Sequence, residues 1–169
     1  LKPDDPRVLD THALITVSTL LPPPEKIGEL EKHLEQLYLG NCVGNIKICC
    51  LADHHGAPRP SMPEDKAALN AAVKAFDRLN SKYGGGFILA VRRRTYSKTQ
   101  NEFTGKERKR GAITDLVAAI KGDGRAFVCL HGDRTSLHKV KYLIALDSDT
   151  GLAFDGARLL VAAAEHPAN

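Results

Sequence analysis

Asp147 and Asp149, one residue apart, are the first side chains in this sequence whose types and spacing could do chemistry. Two carboxylates this close can both reach one divalent cation, which prefers oxygen ligands and bridges phosphate oxygens. They follow the apolar segment 142–146 and precede a Thr-Gly pair. The same pattern is typical of carboxylates that hydrogen-bond their own backbone in a turn. The residues alone leave both interpretations, a metal site and a turn, open.

A second candidate, Asp53-His54-His55, also follows an apolar segment and contains groups that bind metals. The triplet resembles the motif of the D-H-H phosphoesterases, and this resemblance implies a metal-dependent phosphoesterase as the alternative function. Those enzymes carry further acidic ligands after their first strand, whereas residues 18–22 contain no acid. We therefore interpret both histidines as ordinary loop residues and keep Asp53 as the functional candidate.

The third candidate is the basic segment 92–110, which holds eight of the 24 basic residues and only two acidic ones. The remainder of the chain is slightly acidic, so the net charge of +4 belongs to this segment. Such a local cluster favours a local anion, for example a phosphate group. A solvated basic face and a nucleic-acid-binding module are the other interpretations. Few aromatic residues are available to stack on bases and no nucleic-acid motif is present, so we expect no nucleic-acid partner.

Within this segment, Thr104 and Glu107 match the pattern of a capping box, which predicts that a helix begins there. Lys106, Lys109 and Arg110 then lie in its first turns. Because a helix N-terminus attracts anions, added cations make this position suitable for a diphosphate.

The candidate residues must be positioned by the elements around them, and the sequence predicts strands and helices that alternate along the chain. Short apolar segments predict strands, and apolar residues at helical spacing predict helices. The predicted strands are 13–17, 46–52, 87–91 and 142–146, and the predicted helices include 27–38, 63–79, 113–120 and 159–161. Residues 126–130 could be a strand or a loop, and residues 92–102 are interpreted as a polar loop. This order predicts an α/β fold of three layers, a Rossmann-like, mostly parallel sheet with helices on both faces.

The candidate residues fall where such a fold binds ligands. In open parallel sheets, ligands lie beyond the carboxyl ends of the strands, near the switch point. Three of the four predicted strand ends carry charge: Asp53, the three arginines 92–94, and Asp147 with Asp149. We therefore expect these groups to meet at one edge of the sheet.

Composition excludes several classes of protein. Of 169 residues, 43% are hydrophobic and 26% charged, which is typical of a globular domain and excludes a disordered tail or a coiled coil. Apolar runs are far shorter than the ~20 residues of a membrane helix, and no secretory signal is visible. The four cysteines form no C-x-x-C pair, so we expect reduced thiols that act as small hydrophobes. Since the first residue is Leu1, we expect a piece of a longer protein.

Two long segments, 105–116 (GKERKRGAITDL) and 141–150 (KYLIALDSDT), closely resemble the glycosyltransferase domain of bacterial cyclic β-1,2-glucan synthases. Shorter matches at 19–22, 62–65 and 166–169 extend the resemblance from about residue 16 to the last residue. That family has a GT-A fold and resembles processive inverting transferases such as cellulose synthase. Its members are large inner-membrane proteins that use UDP-glucose on the cytoplasmic side.

The resemblance implies a role for each matching residue. Asp147 and Asp149 are similar to the D-x-D that holds Mn²⁺ or Mg²⁺ on the sugar-nucleotide diphosphate. Asp53 lies where such folds place an acid near uracil, and Thr19 would border the nucleotide. The segment from Lys109 to Gly111 resembles the K-A-G of related synthases. Lys109 would then face the diphosphate, with Arg110 as a further phosphate contact.

The resemblance implies that residues 1–169 are the nucleotide-sugar-binding portion of a GT-A domain. The acceptor-binding half, which carries the general base, follows the D-x-D in such enzymes, and we find no candidate base here. We therefore expect UDP-glucose as the donor, a glucan as the acceptor, and a parent protein at the cytoplasmic side of the inner membrane. The fragment itself is expected to be soluble and incomplete as an enzyme.

Overall fold

A computed structural model describes residues 1–169 and contains seven β-strands and five α-helices. The strands are β1 (Ala13–Leu20), β2 (Ile46–Asp53), β3 (Phe87–Arg92), β4 (Thr95–Ser97), β5 (Glu102–Thr104), β6 (Phe127–Gly132) and β7 (Tyr142–Asp147). The helices are α1 (Pro6–Asp10), α2 (Ile27–Asn41), α3 (Asp65–Tyr83), α4 (Arg108–Ile120) and α5 (Gly156–Ala164). All four predicted strands and all four predicted helices are confirmed. None of the helices has both the length and the hydropathy needed to cross a membrane.

Five strands form one sheet in the order β6-β3-β2-β1-β7. β1 pairs in parallel with β2 on one side and with β7 on the other, and β2 pairs in parallel with β3. β6 pairs antiparallel with β3, so the segment 126–130 contributes to a strand. The predicted mostly parallel sheet is confirmed, and the strand order reverses at β1. The GT-A assignment stays a prediction.

Helices cover both faces of the sheet, as predicted, but they cover them unevenly. On one face, α1, α2, α3 and α5 enclose a core of 23 buried apolar residues. On the other face, α4 is the one α-helix that packs on a cluster of eight buried residues, which includes Leu116, and Leu137 and Val140 from the segment before β7 also pack against this cluster. Side chains alternate along a strand, so the neighbours Cys49 and Cys50 lie on opposite faces. Burial raises the pKa of both thiols, that of Cys50 to about 12, and all four cysteines are free, as predicted.

The segment between β3 and α4 differs from its prediction. It forms a hairpin of β4 and β5, in which Thr95 lies opposite Thr104, instead of a polar loop. Because Thr104 ends a strand, its hydroxyl does not cap α4. Glu107 precedes the helix with a left-handed φ of 53° and no side-chain capping bond. The capping-box prediction is therefore wrong, although a helix does begin at Arg108.

A carboxylate near the amino end of β3 joins three segments of the chain. Asp133, which follows β6, accepts hydrogen bonds from Thr135 and from the backbone N–H of Gly86, the latter at 2.9 Å. It also forms an ion pair with Lys47 of β2 at 2.9 Å. Burial alone would raise the pKa of Asp133, but the hydrogen bonds from Thr135, Lys47 and Gly86 lower it to about 2.

We expect Asp133→Asn to lower the free energy of unfolding by about 2 kcal/mol near neutral pH, since each pKa unit is worth about 1.4 kcal/mol. A lowered pKa stabilises the fold above the unfolded-state pKa of about 4, and the effect is lost as the pH falls through the folded-state value. The difference between wild type and variant should therefore shrink between about pH 5 and pH 2. Urea unfolding across this range measures it, and a difference independent of pH would contradict the assignment.

Candidate functional site

The carboxyl ends of the parallel strands bring four side chains to one face of the sheet. Ser18 of β1 pairs with Asp147 of β7, and Asp53 of β2 pairs with Arg92 of β3. Counting back by twos along each strand leads from these residues to the apolar cluster beneath α4. All four side chains therefore belong to the α4 side of the sheet, where the helix begins.

A cleft of about 430 Å³ opens at this edge, between the ends of β1 and β2, the β4–β5 hairpin and the first turn of α4. Three of the predicted site residues, Thr19, Asp53 and Lys109, line it. The cleft lies at β1, where the strand order reverses, which is the position that open α/β sheets use for ligands.

Asp53 is held in place by Arg92. Nε and Nη2 of Arg92 each donate a hydrogen bond of 2.7 Å to one carboxylate oxygen of Asp53. The Arg92 side chain is 2% exposed and that of Asp53 is 17% exposed, so this bidentate pair is largely shielded from water. Each oxygen keeps a free lone pair, so Asp53 can still accept a hydrogen bond from a ligand.

Arg92 also fixes the start of α4. Nη1 donates to the backbone oxygen of Lys106 at 2.9 Å and to Asp115 at 3.1 Å, and Nη2 donates to the backbone oxygen of Arg108 at 2.9 Å. With the two bonds to Asp53, all five N–H groups of the guanidinium are in use. One buried side chain thus connects β2, β3 and the turn that leads into the basic helix.

That turn has a strained backbone. Glu107 and Arg108 are consecutive non-glycine residues with left-handed φ values of 53° and 42°. Such values are costly for residues with side chains, and they persist where surrounding contacts impose them. Gly111 lies against the same turn, and a Cβ there would overlap the backbone oxygen of Lys106. The bonds from Arg92 and the absence of a side chain at Gly111 together allow this conformation.

Lys109 lines the cleft and forms an ion pair with Asp147, which lies outside the lining, with Nζ 2.5 Å from Oδ1. Their side chains are 68% and 53% exposed, so solvent screens the pair and its net contribution to stability is small. A cation and an anion that are easily separated are thus available to bind a ligand. The structure brings together Asp147 and Lys109, which the sequence analysis assigned to metal and diphosphate.

Asp149 and Arg110 lie outside the lining of the cleft, and both are exposed. The backbone N–H of Thr150 donates to the backbone oxygen of Asp147 at 3.0 Å, which forms a turn after β7. Neither aspartate side chain bonds a backbone N–H in this turn, and only Asp147 has a partner, the exposed Lys109. The side chain of Arg110 makes no hydrogen bond or ion pair.

The side chains at this edge of the sheet supply only part of the ligand set that a divalent cation requires. Asp147 and Asp149 offer hard oxygen ligands, but no group of three or more His, Cys, Asp or Glu side chains is arranged to hold a metal. A cation here would need further oxygen ligands from phosphate and water, as Mg²⁺ often does. The identity of the metal, Mn²⁺ or Mg²⁺, stays a prediction.

The D-H-H triplet does not converge on one site. His54 lies on the opposite face of the sheet from Asp53, 7% exposed, with Nδ1 3.5 Å from Asp65. Burial lowers the pKa of His54, although the charge of Asp65 opposes this effect. His55 lines the cleft, but only its backbone oxygen is bonded, to Arg94. A phosphoesterase centred on this triplet is therefore not favoured.

Three residues at the site have positions or partners that the sequence patterns did not specify. Arg92 was expected at the same edge of the sheet as Asp53, because both lie at strand ends, but its bidentate pairing with that carboxylate was not predicted. Glu102 and Arg108 line the cleft. No sequence pattern identified Glu102, because the hairpin that carries it was interpreted as a loop.

The fold and the cleft define an α/β protein whose mostly parallel sheet is compatible with a Rossmann-like fold and which carries a polar, charged site at the switch point of that sheet. No protein-family model matches the chain. The chain is 32% identical over 164 residues to cyclic beta-(1,2)-glucan synthase NdvB of Rhizobium meliloti (strain 1021). The alignment covers 95% of this chain but 6% of that relative, so the chain spans a small part of the length of the glucan synthase. The similarity to a cyclic glucan synthase is therefore not confined to segments 105–116 and 141–150 but extends over almost the whole chain.

Proposed function

We propose that this chain binds the donor of a glucan synthase, as the nucleotide-sugar-binding part of a GT-A glycosyltransferase. The donor is UDP-glucose, the acceptor is a growing β-glucan, and the parent protein acts at the cytoplasmic side of the bacterial inner membrane. The observation that carries the proposal is the meeting of Asp53 and Lys109 in the wall of one cleft, with Asp147 in contact with that lysine. Similarity to a cyclic glucan synthase over 95% of the chain supports it.

The nucleotide would lie along the cleft from Asp53 to Lys109. Asp53, oriented by Arg92, accepts a hydrogen bond from the N–H of uracil, and Thr19 borders the base. Lys109 and the unpaired N–H groups of the first turn of α4 donate to diphosphate oxygens. These positive groups favour the charge that collects on the diphosphate when the sugar leaves. Asp147 and Asp149 would hold a divalent cation, which supplies Lewis-acid stabilisation of the same charge when bound.

Calorimetric titration of UDP and UDP-glucose, with and without Mn²⁺, tests the proposal. We expect binding that Mn²⁺ strengthens, and we expect the double variant Asp147→Asn, Asp149→Asn to lose about tenfold or more in affinity, about 1.4 kcal/mol. Asp4→Asn with Asp10→Asn is the matched control, because it removes two exposed carboxylates far from the cleft in sequence and should leave affinity unchanged.

Two outcomes would contradict the proposal. One is a folded wild-type chain that binds neither ligand. The other is binding to a single-stranded nucleic acid that weakens steeply with salt and is the same in the double variant, since that is the behaviour of a basic nucleic-acid-binding module.

A further inference from the structure

Glu102 is a carboxylate in the cleft wall without a partner. It belongs to β5 and lines the cleft, and its side chain makes neither a hydrogen bond nor an ion pair. The other acids at this site differ, because Asp53 is paired with Arg92 and Asp147 with Lys109. Glu102 therefore presents an uncompensated negative charge to any ligand in the cleft.

The position of Glu102 is fixed by its surroundings. Its neighbour Phe103 exchanges two backbone hydrogen bonds with Ala57, of 2.8 and 2.9 Å, which fasten the hairpin to the loop after β2. The ring of Phe103 packs edge-on against Tyr96, with centroids 5.4 Å apart. The carboxylate of Glu102 lies over Gly56, where a Cβ would overlap it. The absence of a side chain at Gly56 therefore leaves room for this carboxylate in the wall of the cleft.

The charge of Glu102 determines which part of a ligand it can face. A carboxylate repels a diphosphate, so Glu102 is unsuited to the phosphate end of the cleft. It accepts hydrogen bonds only, and its two oxygens match a pair of adjacent hydroxyl groups. Hydrogen bonds to an ionised carboxylate are stronger than those between neutral groups.

We propose that Glu102 recognises a vicinal diol of the bound nucleotide sugar. This inference rests on the proposed function and adds a specificity-determining residue to it. Two diols share this chemistry, the 2′- and 3′-hydroxyls of ribose and the hydroxyls of the sugar ring. A nucleotide without the 2′-hydroxyl and a nucleotide that carries the sugar distinguish them.

The test compares ligands and variants by calorimetry in the presence of Mn²⁺. The ligands are UDP, 2′-deoxy-UDP and UDP-glucose, and the variants are Glu102→Gln, which keeps the shape of the side chain, and Glu102→Ala. If Glu102 binds ribose, both variants should weaken UDP roughly tenfold and 2′-deoxy-UDP far less. If it binds the sugar ring, only UDP-glucose should weaken. Glu64→Gln, an exposed glutamate outside the cleft lining, is the matched control and should leave all three affinities unchanged.

The possible failures are distinguishable. Wild-type protein that binds neither UDP nor UDP-glucose would overturn both the proposed function and the role of Glu102. Metal-dependent binding of UDP with Glu102 variants equal to wild type would overturn the role of Glu102 alone. The same would follow if the variants weakened UDP, 2′-deoxy-UDP and UDP-glucose by one common factor.

Discussion

Replacing Arg92 with methionine should destabilise the protein by about 3 kcal/mol, because it breaks a buried ion pair and leaves several acceptors without a donor. Asp53 would lose both of its bonds from Arg92, and the backbone oxygens of Lys106 and Arg108 would each lose one. The cost lies at the lower end of the range for buried pairs because Asp53 keeps some access to water.

Urea unfolding followed by circular dichroism measures this loss for Arg92→Met. The matched control is Arg125→Met, since Arg125 is 91% exposed and its ion pair with Asp123 lies in solvent. The control should change the free energy of unfolding by less than about 0.5 kcal/mol. Equal effects in the two variants would show that Arg92 is not the connection between the strands and the helix.

Gly111→Ala should also be severe, because overpacking should lower the free energy of unfolding by about 2–3 kcal/mol. The added methyl group would meet the backbone oxygen of Lys106, which cannot move without breaking its hydrogen bond to Arg92. The strained turn at Glu107 and Arg108 would have to shift, and the first turn of α4 would shift with it. We therefore expect weaker nucleotide binding as well as lower stability.

Gly40→Ala is the control for this substitution. Gly40 lies in α2, and a methyl group added there would meet nothing within 4 Å. The change should therefore stabilise the fold by about 0.5–1 kcal/mol through the helix preference of alanine. Thermal unfolding and UDP titration of both variants provide the comparison. A Gly111→Ala protein as stable as wild type would contradict the packing described at the turn.

The layers of the fold were predictable because they depend on local patterns. Apolar segments such as 87–91 and helical spacing in 63–79 specify strands and helices, and their alternation favours a parallel sheet. The antiparallel β6 was left open, since a short apolar run does not reveal the direction in which it pairs. The β4–β5 hairpin was missed because its strands have three residues each and little apolar pattern.

The candidate site was predictable in part for the same reason. Asp53 and Asp147 could be placed at strand ends, so their position at one edge of the sheet followed from topology. The bonds of Arg92 to Asp115 and to two backbone oxygens depend on three-dimensional packing that the one-dimensional pattern does not contain. The partner of Lys109 could not be foreseen either, because residues 109 and 147 meet only once β7 lies beside β1.

The exposed pair of Lys109 and Asp147 has a consequence for the order of events at the cleft. Lys109 and Asp147 neutralise each other in their ion pair. A diphosphate that binds Lys109 would free Asp147 to bind a metal ion. A metal ion that binds Asp147 would likewise free Lys109 to bind a diphosphate. Metal and nucleotide would then bind synergistically. By thermodynamic reciprocity, the factor by which Mn²⁺ tightens UDP equals the factor by which UDP tightens Mn²⁺.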